Sequence, residues 1–118
     1  MKTNTFARLR DKGGAALGFY FSESDPSIAE IACLSGFDYL RIDLEHTLLS
    51  ASKLKQVLRI CDAYGVPSLV RVADLHSITA ILDFGASGIL VPNVETREQA
   101  MDCVRRCKYA PAGERGMG

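Results

Sequence analysis

The residues best suited to chemistry fall in three short polar clusters, each at the end of an apolar run. Asp43-Leu-Glu45-His46 closes one run, Arg71 lies at the end of the next, and Pro92-Asn93 ends a third. Asp43 and Glu45 alternate along an extended backbone and can point the same way. His46 follows them, and an imidazole that titrates near neutrality suits a general base. Arg71 offers a planar fork of donors for a carboxylate or an enolate oxygen. A base beside an anion stabiliser suits removal of a proton next to a carbonyl, or the equivalent carbon–carbon cleavage. Each residue also has a plainer reading. His46 can be a structural loop residue, and Arg41 and Arg71 can pair with Asp43 or Glu45 as a buried network. Asn93 after a proline is by default a turn residue. Asp74 reads as a helix cap, and His76 as a solvated residue in a first helical turn.

One frame would bring these clusters together. The chain alternates short apolar runs with amphipathic helices about four times. The runs Ala15–Phe21, Tyr39–Leu44, Pro67–Val72 and Gly88–Pro92 read as strands. A helix starts at Ser24-Asp25-Pro26, a cap followed by proline, carries Ile28, Ile31, Ala32 and Leu34, and stops at Gly36. The next starts near Ser50 with Leu54, Val57, Leu58 and Cys61 on one stripe and ends at Gly65. A third carries Ile78, Ile81 and Leu82 and closes at Gly85. A fourth starts near Glu95-Thr96 and carries Ala100, Cys103, Val104 and Cys107. The stretch from Pro111 to Gly118 reads as a glycine-rich loop. Apolar strands alternating with such helices imply a parallel sheet covered by helices, joined by right-handed crossovers. The fold class is α/β, and repeats this regular suit a parallel (β/α)8 barrel of the TIM type. A complete barrel needs roughly 250 residues. A chain of 118 residues is therefore expected to hold about the first four βα units, as one partial barrel domain over residues 1–118. A small open sheet of flavodoxin type is the competing architecture. In either fold, function gathers at the C-terminal ends of the strands.

Composition narrows the partners. Fourteen basic and fourteen acidic residues give zero formal charge without a run of one sign, so nucleic acid and anionic membranes have no electrostatic footing. No stretch approaches the ~20 apolar residues of a membrane span. Met1 to Gly14 has no apolar signal core, which argues against secretion. Cys33, Cys61, Cys103 and Cys107 form no C-x-x-C pair, and Cys33, Cys61 and Cys107 read as buried free thiols. A reducing, cytoplasmic setting is expected. Cys103 and Cys107 share a helix face, but no nearby histidine or further cysteine completes a zinc-type set.

The stretch Gly36-Phe-Asp-Tyr-Leu-Arg-Ile-Asp-Leu-Glu-His46 resembles the HpcH/HpaI aldolases, the 2-keto-3-deoxy acid aldolases. The resemblance continues through Pro67-Ser-Leu-Val-Arg71-Val and Leu82-Asp83-Phe-Gly85-Ala-Ser-Gly88-Ile-Leu-Val-Pro92-Asn-Val-Glu95-Thr. It ends in Lys108-Tyr109-Ala-Pro111-Ala-Gly113-Glu-Arg115-Gly116. In order and at compatible spacing, these segments cover most of the chain. The resemblance implies a class II, metal-dependent aldehyde-lyase, which reversibly cleaves 2-keto-3-deoxy or 4-hydroxy-2-keto acids to pyruvate and an aldehyde. It implies catalytic roles for His46 in proton transfer and for Arg71 in stabilising the enolate. Asp43, Glu45 and Asn93 become substrate-binding or supporting residues. Asp83 matches the aspartate that the family pairs with its histidine. Its expected place at a helix end, on the rim opposite the strand ends, allows that pairing only across a subunit interface or through an unexpected turn. It also allows a plain helix-end carboxylate beside Gly85. A divalent metal (Mg, Mn or Co) is implied as cofactor, with family ligands expected beyond Gly118 and none in this chain. The implied partners are a small 2-keto acid, pyruvate and an aldehyde, in a homo-oligomer. The alternative is a non-catalytic half-barrel that associates with itself or with a complementary half. A related lyase acting on a thioester is a further reading.

Overall fold

The computed structural model describes residues 5–11 and 13–116; the sequence-based readings of the first four residues and of the last two lie outside them. In chain order the elements are α1 (Thr5–Asp11), β1 (Gly18–Phe21), α2 (Pro26–Leu34), β2 (Tyr39–Asp43), α3 (Ala51–Ala63), β3 (Ser68–Arg71), α4 (Ile78–Asp83), β4 (Gly88–Leu90) and α5 (Arg97–Cys107). The four strands are parallel and lie in the order β1-β2-β3-β4. That order decides between the two architectures. An open doubly wound sheet reverses direction at a switch point, whereas strands added one after another on the same side are the geometry of a barrel wall. The fold is α/β, a sector of a (β/α) barrel.

Local chemistry explains the boundaries. Asp25 accepts from the backbone N–H of Ser27 and Pro26 opens α2, where its missing N–H leaves nothing unpaired. Ser50 caps α3 by accepting from Lys53 N–H. Thr96 and Gln99 form a reciprocal capping box on α5. Asp74 departs from the sequence expectation in detail. It accepts from His76 and Ser77 N–H at 2.7 and 3.0 Å, so it fixes the turn ahead of α4, while Ser77 holds the cap position itself. His76 lies in that turn and is exposed. The strands are shorter than the apolar runs suggest. Ala15 to Leu17 lies outside β1, and Leu17 is pinned through both its N–H and its C=O to Asp38. The expected closing loop folds back as a bridge between Tyr109 and Arg115. The helix α1 is an element that the mixed charges of its sequence do not announce.

The core lies on one face of the sheet. Phe21, Leu40, Ile42 and Val70 from the strands, with Val72, meet Ala29, Ala32 and Cys33 of α2. Leu54, Val57, Leu58 and Cys61 of α3 and Ile78 and Ile81 of α4 complete it. Burial pushes the Cys61 thiol up to about 12 and raises that of Cys33, as expected for inert core thiols. Cys107, expected to be buried with them, is half-buried at the margin of this core. On the opposite face Phe6 of α1 meets Tyr39 edge-to-face at 5.8 Å. A β-carbon on Gly88 would come within 3.3 Å of the Phe6 ring. Among the described residues, no helix is long and apolar enough to cross a membrane.

Candidate active site

Strand periodicity assembles the site. Side chains alternate between faces, so the residues one step out of phase with the core all project from the uncovered face. In register these are Tyr20 opposite Arg41 and Asp43 opposite Arg71. Asp43 is fully buried, and each of its carboxylate oxygens accepts two hydrogen bonds. Oδ1 takes Arg71 Nε at 2.8 Å and the Glu45 backbone N–H at 2.9 Å. Oδ2 takes Arg71 Nη2 at 2.5 Å and the phenolic O–H of Tyr20. This bidentate pairing with Arg71, with help from Tyr20 and the Glu45 amide, holds the Asp43 carboxyl well below the usual carboxylate range despite its burial. The same pairing raises the guanidinium of Arg71, which stays cationic throughout. Asp43 is therefore spent as an anchor. It has no lone pair left with which to take a proton.

Glu45 links the anchor to the imidazole. Its Oε2 lies 3.1 Å from Arg71 Nη1 and 3.5 Å from His46 Nε2. Arg71 is 15% and Glu45 21% exposed at the side chain, whereas His46 is 66% exposed. The loop that carries Glu45 and His46 is fastened to the strand ends by Thr47 Oγ1–H to the Asp43 carbonyl and by Leu44 N–H to the Arg71 carbonyl. The chain thus offers a fixed cation and a solvent-facing imidazole at one rim, with a carboxylate between them.

The remaining candidates spread out. Asn93 follows Pro92 with φ +57° and lines a cleft of about 200 Å³ together with Glu45, Val72, Asp74, Leu75 and Gln99. It belongs to the same end of the sheet as the cluster, though in a neighbouring recess. Asp83 ends α4 and receives Arg115 Nη2 at 2.5 Å, so within this chain its partner is a guanidinium and not His46. Arg41 departs from the buried-network reading. Its guanidinium lies over the Tyr20 ring at 5.3 Å, and its Nε is buried with no hydrogen-bond partner among the described residues. Tyr20 is the residue that sequence reasoning missed. It sits in the apolar run Gly18-Phe-Tyr-Phe21, and only the pairing of β1 with β2 carries its hydroxyl to Asp43.

No three potential ligands among the described residues converge on a point that could hold a metal ion. Asp43 is saturated, and Glu45 is engaged by Arg71. These residues by themselves do not fit a divalent cation, which takes six or more oxygen ligands including waters.

Comparison with known proteins identifies relatives of the chain. The chain is 41% identical to a 4-hydroxy-2-oxovalerate aldolase of Novosphingobium aromaticivorans, over 98% of this chain and 45% of the relative. It is 36% identical to a 2-keto-3-deoxy-L-rhamnonate aldolase of Escherichia coli, over 98% of this chain and 44% of the relative. It superimposes on the crystal structure of the citrate synthase SbnG with a TM-score of 0.90 and 31% identity, covering 98% of this chain and 48% of that one. The chain spans about half the length of the relatives it matches. Residues 16–118 match the family described as HpcH/HpaI aldolase/citrate lyase, and with the parallel order of the strands and the Asp43–Arg71–Glu45–His46 cluster, the chain belongs to that family.

Proposed function

We propose that the whole protein is a carbon–carbon lyase that reversibly cleaves 4-hydroxy-2-keto or 2-keto-3-deoxy acids to pyruvate and an aldehyde. The observation that carries this reading is the linked pair Arg71 and His46, joined through Glu45 at one rim. In cleavage a base takes the proton of the C4 hydroxyl, the C3–C4 bond breaks, and its electrons form the enolate of pyruvate. The aldehyde leaves, and a proton returned to C3 gives pyruvate. His46 Nε2 is accessible enough to move those protons, and Glu45 orients it. Arg71 is cationic and anchored, so it meets the enolate or carboxylate oxygen without reorganising. Asn93 faces the neighbouring cleft, where it can contact the aldehyde end of the substrate. The role that the resemblance gives Asp83 requires a histidine from another subunit. Relatives of this family imply a divalent metal such as Mg, Mn or Co, which would polarise the keto acid as a Lewis acid. The described residues do not by themselves form its site.

The expected test is hydrogen exchange at the methyl group of pyruvate, followed by NMR in deuterated buffer with the full-length protein. His46→Ala and Arg71→Ala should each slow exchange by about 100-fold or more. Exchange near the unmodified rate in both variants would refute the assignment.

Assembly is proposed on a separate observation. Among the described residues, the strands β1 and β4 have a partner on one side only, and α2 and α5 expose Ile31 and Leu34, and Met101 and Val104, respectively. Unpaired parallel edges flanked by apolar side chains invite association. The 118-residue chain is expected to form a homo-oligomer in solution, and a monomer by light scattering at all concentrations would remove this reading. The four free thiols suit a reducing, cytoplasmic location.

A further inference from the structure

Arg71 carries five N–H donors, and most of them are already used. Nε–H goes to Asp43 Oδ1 at 2.8 Å, and one Nη2 hydrogen goes to Asp43 Oδ2 at 2.5 Å. The same Nη2 hydrogen is shared with the Tyr20 hydroxyl oxygen at 3.4 Å, and one Nη1 hydrogen faces Glu45 Oε2 at 3.1 Å. One Nη2 hydrogen and one Nη1 hydrogen remain, side by side at the end of the fork. Tyr20 has a double part in this count, because its hydroxyl both donates to Asp43 Oδ2 and accepts from Arg71 Nη2. Tyr20, Asp43 and Arg71 therefore close a ring of hydrogen bonds across three adjacent strands. The aromatic ring of Tyr20 is 47% exposed on the uncovered face, and Arg41 lies over it at 5.3 Å. A residue needed only for packing would not hold a hydroxyl at this junction.

We infer that Tyr20 is a positioning residue of the site: its hydroxyl locks the guanidinium plane of Arg71, so that one defined N–H edge is presented to an anionic 2-keto acid. This inference rests on the proposed lyase reading for its substrate, but the lock itself does not. Without the hydroxyl, Asp43 Oδ2 loses its second donor and Nη2 the weaker partner of its shared hydrogen, so the carboxylate can shift and the guanidinium it grips can tilt with it. The anion must then fix the fork as it binds. Such a loss weakens ground-state and transition-state binding alike, and appears in KM more than in kcat.

Two measurements on Tyr20→Phe test this. With arginine labelled by ¹⁵N, the Nη hydrogens of Arg71 in the unmodified chain should give separate signals from restricted rotation. In the variant these should shift and broaden, Nη2 most, because Asp43 Oδ2 has lost its second donor, while the Nε–H signal stays in place on Asp43 Oδ1. Separate, unshifted Nη signals in the variant would overturn the lock. In the full-length protein, the variant should raise KM for pyruvate in methyl exchange by about tenfold, the size of one lost hydrogen bond to a charged pair. The same experiment should leave kcat within about threefold, and an unchanged KM would overturn the role in presentation. Replacing Tyr20 with 3-fluorotyrosine, which keeps the hydroxyl, should restore both readouts; a KM as high as in the phenylalanine variant would sink the proposal. If the unmodified protein exchanges no pyruvate protons, the lyase reading fails, and the NMR comparison alone decides whether Tyr20 holds Arg71.

Discussion

The two faces of the sheet use the same strands for opposite ends. Toward the helices, Phe21, Leu40, Ile42, Val70 and Val72 are each at most 1% exposed and belong to the apolar core. One residue out of phase, Tyr20, Arg41, Asp43 and Arg71 face the other way and carry a phenol and three charges. Hydrogen bonding along the backbone is the same for both sets, since they belong to the same ladders. What differs is how each set meets the cost of burial. Apolar groups gain from leaving water, whereas Asp43 and Arg71 are tolerated because they pair with each other, and Arg41 rests its guanidinium on the Tyr20 ring. The period of two thus assigns folding to one set of positions and chemistry to the other. A shift of one residue in the pairing would exchange them.

Breaking the apolar face should have the largest effect on stability. Ile42→Ala leaves a cavity in a dry core and should destabilise the chain by about 3 kcal/mol, read as a shift of the urea midpoint. A midpoint near that of the unmodified chain would contradict the packing described here. Asp43→Asn tests the charged face. It removes the charge from a saturated acceptor and turns one oxygen into a donor facing Arg71, a loss of about 2 kcal/mol. Its pH dependence has a defined sign. Asp43 binds a proton more weakly folded than unfolded, so its contribution is complete above the ordinary carboxylate value of 3.8 and fades as pH falls below it. The unmodified chain should lose stability on acidification through that range, and Asp43→Asn should flatten the slope. An equal slope in both would place the acid sensitivity elsewhere. The smallest effect belongs to His46→Ala. Its side chain is mostly in water, so the urea midpoint should move by less than about 0.5 kcal/mol even as proton exchange on pyruvate is lost. A large shift would make the imidazole a structural residue.

Much of this division was legible in the residues themselves. The alternation of apolar runs and amphipathic stripes indicated the parallel sheet, and caps such as Ser50 and Thr96 marked helix starts. Gly36 and Gly65 follow helix ends with φ of +86° and +68°, where a side chain would be strained. The motif at Asp43–His46 and the arginine at position 71 also stood out, because charges at strand ends are unusual. The features that escaped depend on contacts distant in sequence. Tyr20 lies 23 residues from Asp43 and is flanked by phenylalanines, so nothing local marks it as polar. Asp83 meets an arginine 32 residues later, a pairing that exists only once the loop after α5 folds back. The helix α1 is seven residues long with mixed charges, and what holds it is the contact of Phe6 with Tyr39, which no periodicity reveals.

That contact gives the face two unlike ends. Phe6 and Tyr39 meet near the N-terminal ends of the strands, while Arg71 and His46 stand at the opposite ends. Across this sector an aromatic pair closes one end of the face and the charged groups stand at the other, so a change to the rings and a change to the charges act on separate ends of the same strands.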